Sequence, residues 1–98
     1  MREKFTLIEK STANSTRETF QHPVLAFRTI ELYRSFRDNN LVYECYTVYH
    51  DEECQYELSI HYFNDYTHCY VCDDGEEQEE ITREEFDKLL EEMWNRGL

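Results

Sequence analysis

The stretch LVYECYTVYHDEECQYELSIHYFNDYTHCYVCD, residues 41–73, decides how the rest of the chain is read. It divides into three runs rich in β-branched and aromatic residues: Leu41–Tyr49, Cys54–Phe63 and Tyr66–Asp73. In the middle run Cys54, Tyr56, Leu58, Ile60 and Tyr62 alternate with Gln55, Glu57, Ser59 and His61. Such period-2 alternation marks a strand with one buried face. In the first run Leu41, Tyr43, Cys45, Thr47 and Tyr49 form an uncharged face. Val42, Glu44, Tyr46, Val48 and His50 form the other. The residue types favour strand over helix in both runs.

Setting Tyr49 opposite Cys54 puts both uncharged faces on one side, with Cys45 facing Leu58 and Tyr43 facing Ile60. The connection is then His50-Asp51-Glu52-Glu53. The competing register places Glu44 beside Ile60, and burying a carboxylate there is costly. Asn64-Asp65 supplies the next turn, because both side chains tolerate positive φ. It pairs Ile60 with Cys69, Leu58 with Val71 and His61 with His68.

Outward from this meander the flanks read as follows. Phe5–Glu9 is a short edge strand, and Ser11–Thr19 is a polar loop. Pro23 suits the first turn of a helix, since it lacks an N–H that would be unpaired there. From Pro23 to Arg37 the residues Leu25, Ala26, Thr29, Ile30, Leu32, Tyr33 and Phe36 fill one arc of a 3.6-residue wheel. Val24 and Phe27 fall outside that arc. Arg34 and Arg37 sit near its C-terminus, where cations are favoured, and Asp38-Asn39-Asn40 ends it. A second helix starts at Thr82, which forms a capping box with Glu85. It carries an apolar stripe of Phe86, Leu89, Leu90, Met93 and Trp94, and stops at Gly97. The expected fold is α+β in the order β-α-β-β-β-α: an antiparallel meander sheet with two helices packed on one face, a single domain over residues 1–98.

A hydrophobic content of 40% and an aromatic content of 15% exclude a disordered chain. No apolar h-region follows Met1 and no run approaches a membrane span. The expectation is a soluble, cytoplasmic protein whose four cysteines are free thiols, with Cys45, Cys54 and Cys69 facing inward.

Catalytic and metal motifs are weak. Cys69 and Cys72 lie on opposite faces of a strand, which defeats a zinc site. His61 and His68 are cross-strand neighbours with Glu44 on the diagonal, a set that can hold a divalent metal, but two surface imidazoles are the preferred reading because no second shell is visible in the sequence. Ser59 has no glycine elbow beside it, and no phosphate-binding glycine loop occurs. No cofactor, no metal and no enzymatic activity are expected.

Charge is the strongest signal. Residues 1–40 carry a net of +2 and residues 41–98 a net of −14, with no Lys or Arg between Arg37 and Arg83. The carboxylates of Asp73, Asp74, Glu76, Glu77, Glu79 and Glu80 precede the last helix. Glu84, Asp87 and Glu91 lie on its outward side, and Asp51, Glu52 and Glu53 at a hairpin tip. A solvated face kept for solubility accounts for such an array. So does a set of carboxylates imitating phosphates, which repels nucleic acid and lipid and attracts basic protein surfaces. Tyr46, Tyr66 and Tyr70, read as exposed, would add interface anchors.

In its size, acidity, tyrosine content and α+β pattern the whole chain resembles phage-encoded anti-CRISPR and anti-restriction proteins that act as DNA mimics. It also resembles the acidic immunity proteins that neutralise nuclease toxins. The resemblance implies an inhibitor whose partner is a basic nucleic-acid-binding protein, a CRISPR effector or nuclease, without direct contact to nucleic acid or membrane. The alternatives are an immunity protein or antitoxin, and a small metal-dependent enzyme using His61, His68 and Glu44. A homodimer through the exposed aromatics is compatible with each.

Overall fold

A computed structural model describes residues 6–12 (backbone only), 15–63, 67–73 and 77–96. Seven strands follow one another in chain order as an antiparallel meander: β1 Thr6–Thr12, β2 Ser15–Gln21, β3 Arg28–Arg37, β4 Asn40–His50, β5 Glu53–Tyr62, β6 Thr67–Asp73 and the three-residue edge strand β7 Glu79–Ile81. One helix, α1 Arg83–Arg96, closes the order. Among the described residues no helix is long and apolar enough to cross a membrane.

The fold is α+β, but the helix expected at Pro23–Arg37 is not there, so among the described residues one helix covers the sheet instead of two. Residues 28–37 form β3, paired with β2 on one side and β4 on the other. The sequence satisfies both periods. Ile30 and Leu32, two residues apart, are fully buried on one face, while Thr29, Glu31, Tyr33 and Ser35 occupy the other. Pairing along ten residues with β4 outweighs a helical propensity of a few tenths of a kcal/mol per residue. Pro23 sits in the β2–β3 loop, where it interrupts no ladder. The segment expected as a polar loop, Ser11–Thr19, instead supplies most of β2, whose single buried apolar side chain is Phe20. One apolar position in seven gave the alternation no contrast.

Asp38-Asn39 is a two-residue hairpin turn with φ of 51° and 65°, not a helix end. Asp51-Glu52 is another, with φ of 52° and 68°. Turns with both central residues at positive φ match the twist of the flanking strands. Glutamate is a poor occupant of that region. Replacing Glu52 by Gly is therefore expected to raise the unfolding free energy by about 0.5–1 kcal/mol, measured by urea denaturation.

The β4–β5 register also departs from expectation. Tyr49 does face Cys54, but a bulge follows at once, and Val48, Tyr46 and Glu44 then face Tyr56, Leu58 and Ile60. The one-residue slip carries Tyr46, Val48 and Glu44 to the helix side and Tyr43, Cys45 and Thr47 to the open side. Cys45 is thus buried on the open face and not in the main core, and Cys54 is exposed at the hairpin. The β5–β6 register is Ile60 to Cys69, Leu58 to Val71 and His61 to His68.

The core lies between one sheet face and α1. Ile30, Leu32, Val48, Leu58 and Ile60 are fully buried beneath Phe86 and Met93. Trp94 stands edge-on to Phe20 at 5.6 Å and to Tyr46 at 6.4 Å between ring centres. The Thr82 hydroxyl accepts the Glu85 N–H at 3.1 Å, the N-terminal cap of α1. The Glu85 carboxylate returns to the Thr82 hydroxyl at 3.3 Å. The expected stop at Gly97 lies outside the described residues.

Candidate functional site: two sheet faces and an acidic margin

Three parts of the surface bear on function. The first is the acidic margin formed by β7 and α1. Glu77, Glu79, Glu80, Glu84, Asp87 and Glu91 are all exposed, as is Asp73 at the end of β6. Arg83 is drawn to Asp87 across one helical turn at 3.0 Å, and Glu80 to His68 at 2.8 Å. Among the described residues Glu77, Glu79, Glu84 and Glu91 enter no ion pair. Asp74, Glu76 and Tyr66 lie outside the described residues. The margin also has a structural explanation: charges on a short edge strand discourage a second chain from pairing there.

The second part is the open sheet face, which α1 does not cover. A run of rings crosses it from β3 to β6. Tyr33 meets Tyr43 at 6.1 Å, Tyr43 meets His61 at 4.5 Å, and His61 meets Tyr70 at 5.8 Å. His68 stacks on Tyr70 at 6.3 Å and meets Phe63 edge-on at 5.6 Å. Tyr70 lies on this face but is half-buried, not exposed as read from sequence. Tyr46 does not lie there: it is only 6% exposed, packed against Phe86 and Trp94. Its burial is a direct consequence of the β4–β5 slip.

The same slip separates the residues of the metal reading. His61 and His68 are neighbours on the open face, but Glu44 lies on the helix side, 8% exposed. The carboxylate that reaches His68 is Glu80. Among the described residues no three His, Cys, Asp or Glu side chains converge as metal ligands.

Glu44 belongs instead to a buried network that sequence reasoning missed. Its Oε1 accepts the Tyr62 hydroxyl at 2.7 Å; its Oε2 accepts Arg34 Nε at 2.9 Å and the Tyr46 hydroxyl at 3.3 Å. Arg34 also approaches Glu18 at 3.7 Å. Burial alone would push the Glu44 carboxyl up. The hydrogen bonds from Tyr62 and Arg34, the Arg34 charge and the Tyr46 hydroxyl outweigh it and hold the group below the usual carboxylate range. Burial and the bond to Glu44 push the Tyr62 hydroxyl up to about 12.

The third part is the β2–β3 loop. Val24 is 81% exposed, Phe27 69% and Leu25 44%. This loop adjoins the Asp51-Glu52 turn, because the Asp51 N–H donates to the Phe27 carbonyl at 2.8 Å. The two expected acidic groups, 51–53 and the α1 margin, thus keep separate company. The first shares its surface with Val24, Leu25 and Phe27; beside the second, the exposed Phe63 ring meets His68, which pairs with Glu80.

No family model, no curated protein and no solved structure matches the chain.

Proposed function

We propose that the chain is a small acidic inhibitor that binds another protein, in the cytoplasm of a host cell, by covering that protein's nucleic-acid-binding surface with carboxylates in place of phosphates. The observation that carries this reading is the separation of charge. Residues 41–98 bear a net of −14, and among the described residues Glu77, Glu79, Glu84 and Glu91 are exposed and enter no ion pair. Glu84, Asp87 and Glu91 step along α1 by about 4.5 and 6 Å, from a rise of about 1.5 Å per residue. Such a row forms a line of negative charge, more widely spaced than the roughly 3.4 Å per charge of one nucleic-acid strand. Complementary charge of this kind accelerates encounter and excludes acidic partners.

The test uses a panel of purified basic enzymes: a Cas9-type effector, a restriction endonuclease and a colicin-type nuclease. At least one member is expected to bind. Its affinity should fall at least tenfold as salt rises from about 50 to 500 mM, over which range the Debye length shrinks from about 14 to 4 Å. Double-stranded DNA should compete for the same site. The combined variant Glu77→Gln, Glu79→Gln, Glu84→Gln, Glu91→Gln should bind at least tenfold more weakly while keeping its unfolding midpoint. Failure of the whole panel to bind rejects the reading. So does a ternary complex that retains full DNA occupancy.

A further inference from the structure

The β2–β3 loop exposes three large apolar side chains, Val24, Leu25 and Phe27, yet it is tightly built. The two N–H groups of the Gln21 side-chain amide are shared among the carbonyls of Leu25, Ala26 and Arg28, 3.0, 3.1 and 3.1 Å from Nε2. His22 Nδ1 accepts the N–H groups of Val24 and Leu25 at 3.0 and 2.9 Å. The Arg28 N–H reaches the Leu25 carbonyl at 3.2 Å, and the His22 N–H reaches the Arg28 carbonyl at 3.0 Å. A loop held this way does not collapse to hide Val24 and Phe27. Docking against it costs little ordering entropy.

Between the loop and the Asp51-Glu52 turn lies an open groove of about 600 Å³, whose lining includes the rings of Phe27 and Tyr49 together with Thr19 and Thr29. Asp51 and Glu52 also line it, exposed and in no ion pair among the described residues. Aromatic rings accept the methylene stem and the cationic head of a basic side chain. Carboxylates accept the hydrogen bonds of that head. Val24 and Leu25, just beside the groove, suit an apolar neighbour.

We propose that this groove is a docking site for a basic, extended peptide segment, in which an Arg or Lys side chain lies against Phe27 and Tyr49 with its head on Asp51 and Glu52, and an adjacent apolar residue covers Val24 and Leu25. Charge complementarity selects this occupant. An anionic lipid surface would meet the same carboxylates with repulsion. The site rests on the reading of the chain as a binder of basic proteins, and names the segment of the partner it holds.

The experiment titrates the isotope-labelled full chain with a synthetic octapeptide of alternating arginine and leucine, followed by amide chemical shifts. The largest shifts are expected at Phe27, Thr29, Tyr49, Asp51 and Glu52. The same peptide with citrulline for arginine should bind at least tenfold more weakly. Phe27→Ser, and the pair Asp51→Asn with Glu52→Gln, should each weaken binding at least fivefold. Both leave the core untouched, and an unchanged unfolding midpoint verifies this. Shifts confined to β7 and α1 overturn this site while leaving the acidic-inhibitor reading standing. Absence of any binding overturns the site, whereas the acidic-inhibitor reading falls only if the panel of basic enzymes also fails to bind. Sedimentation with phosphatidylcholine–phosphatidylserine vesicles that depends on Phe27 overturns the site in favour of a membrane contact.

Discussion

Glu44→Gln is expected to lower the unfolding free energy by roughly 2–4 kcal/mol, below the roughly 3–5 kcal/mol of a fully buried ion pair broken from one side because the remaining charge keeps some solvent. The remaining charge is Arg34, whose side chain is 30% exposed and whose next carboxylate, on Glu18, is 3.7 Å away. Glutamine preserves volume, so no cavity contributes. It can accept from Tyr62 or from Arg34, but it cannot neutralise the guanidinium. The wild-type carboxyl titrates below its unfolded value. Its stabilisation is therefore fully present above the usual carboxylate range and disappears as pH falls through the lowered folded value. The variant should lose this part of the acid dependence. Urea denaturation of both proteins between pH 7 and pH 3 measures it. Equal unfolding free energies at pH 7, or parallel acid limbs, would show that the network is not coupled to folding.

Phe86→Ala is expected to cost about 3–5 kcal/mol, the range for removing a large aromatic side chain from a packed interior. Phe86 is 2% exposed, lies 6.3 Å from the Tyr46 ring centre and has the Arg83 guanidinium 5.8 Å from its own. Fourteen residues of helix are marginal in water on their own. The helix therefore depends on its anchors, and the apolar face of the sheet depends on the helix. Domains of this size hold about 5–15 kcal/mol in total, so the variant should unfold at much lower urea and with loss of cooperativity near room temperature. Trp94, packed on Phe20 and Tyr46, reports the transition by fluorescence. A variant within about 1 kcal/mol of wild type would mean that the site collapses around the lost ring far better than known cores do.

The candidate site was half legible before the structure. Its acidic residues could be named from the charge count alone, and Tyr70 could be placed on the open face from the β5–β6 alternation. The juxtaposition of Asp51-Glu52 with Val24, Leu25 and Phe27 could not. Those groups are separated by more than twenty residues, and β3 and β4 bring them together only because both are strands. Read as a helix, residues 23–37 hide that contact, and Val24 and Phe27 become two unexplained apolar positions. Their exposure gains a meaning only beside the turn they adjoin.

Where neighbours in sequence set the outcome, the sequence was sufficient. Leu58 and Ile60 follow their alternation into the core, Thr82 caps the helix that its spacing to Glu85 announces, and the acidic half of the chain is plain in its composition. Where the outcome depends on partners far along the chain, only the folded protein could decide it. Residues 28–37 satisfy a helical and a strand period equally, and the choice falls to the ladders offered by β2 and β4. The burial of Glu44 looks prohibitive when judged beside Ile60 alone. Arg34, ten residues earlier, and Tyr62, eighteen residues later, supply the charge and hydrogen bonds that offset its desolvation. Once that carboxylate can be buried, the β4–β5 register slips by one residue, and Tyr46 moves from the surface to the core.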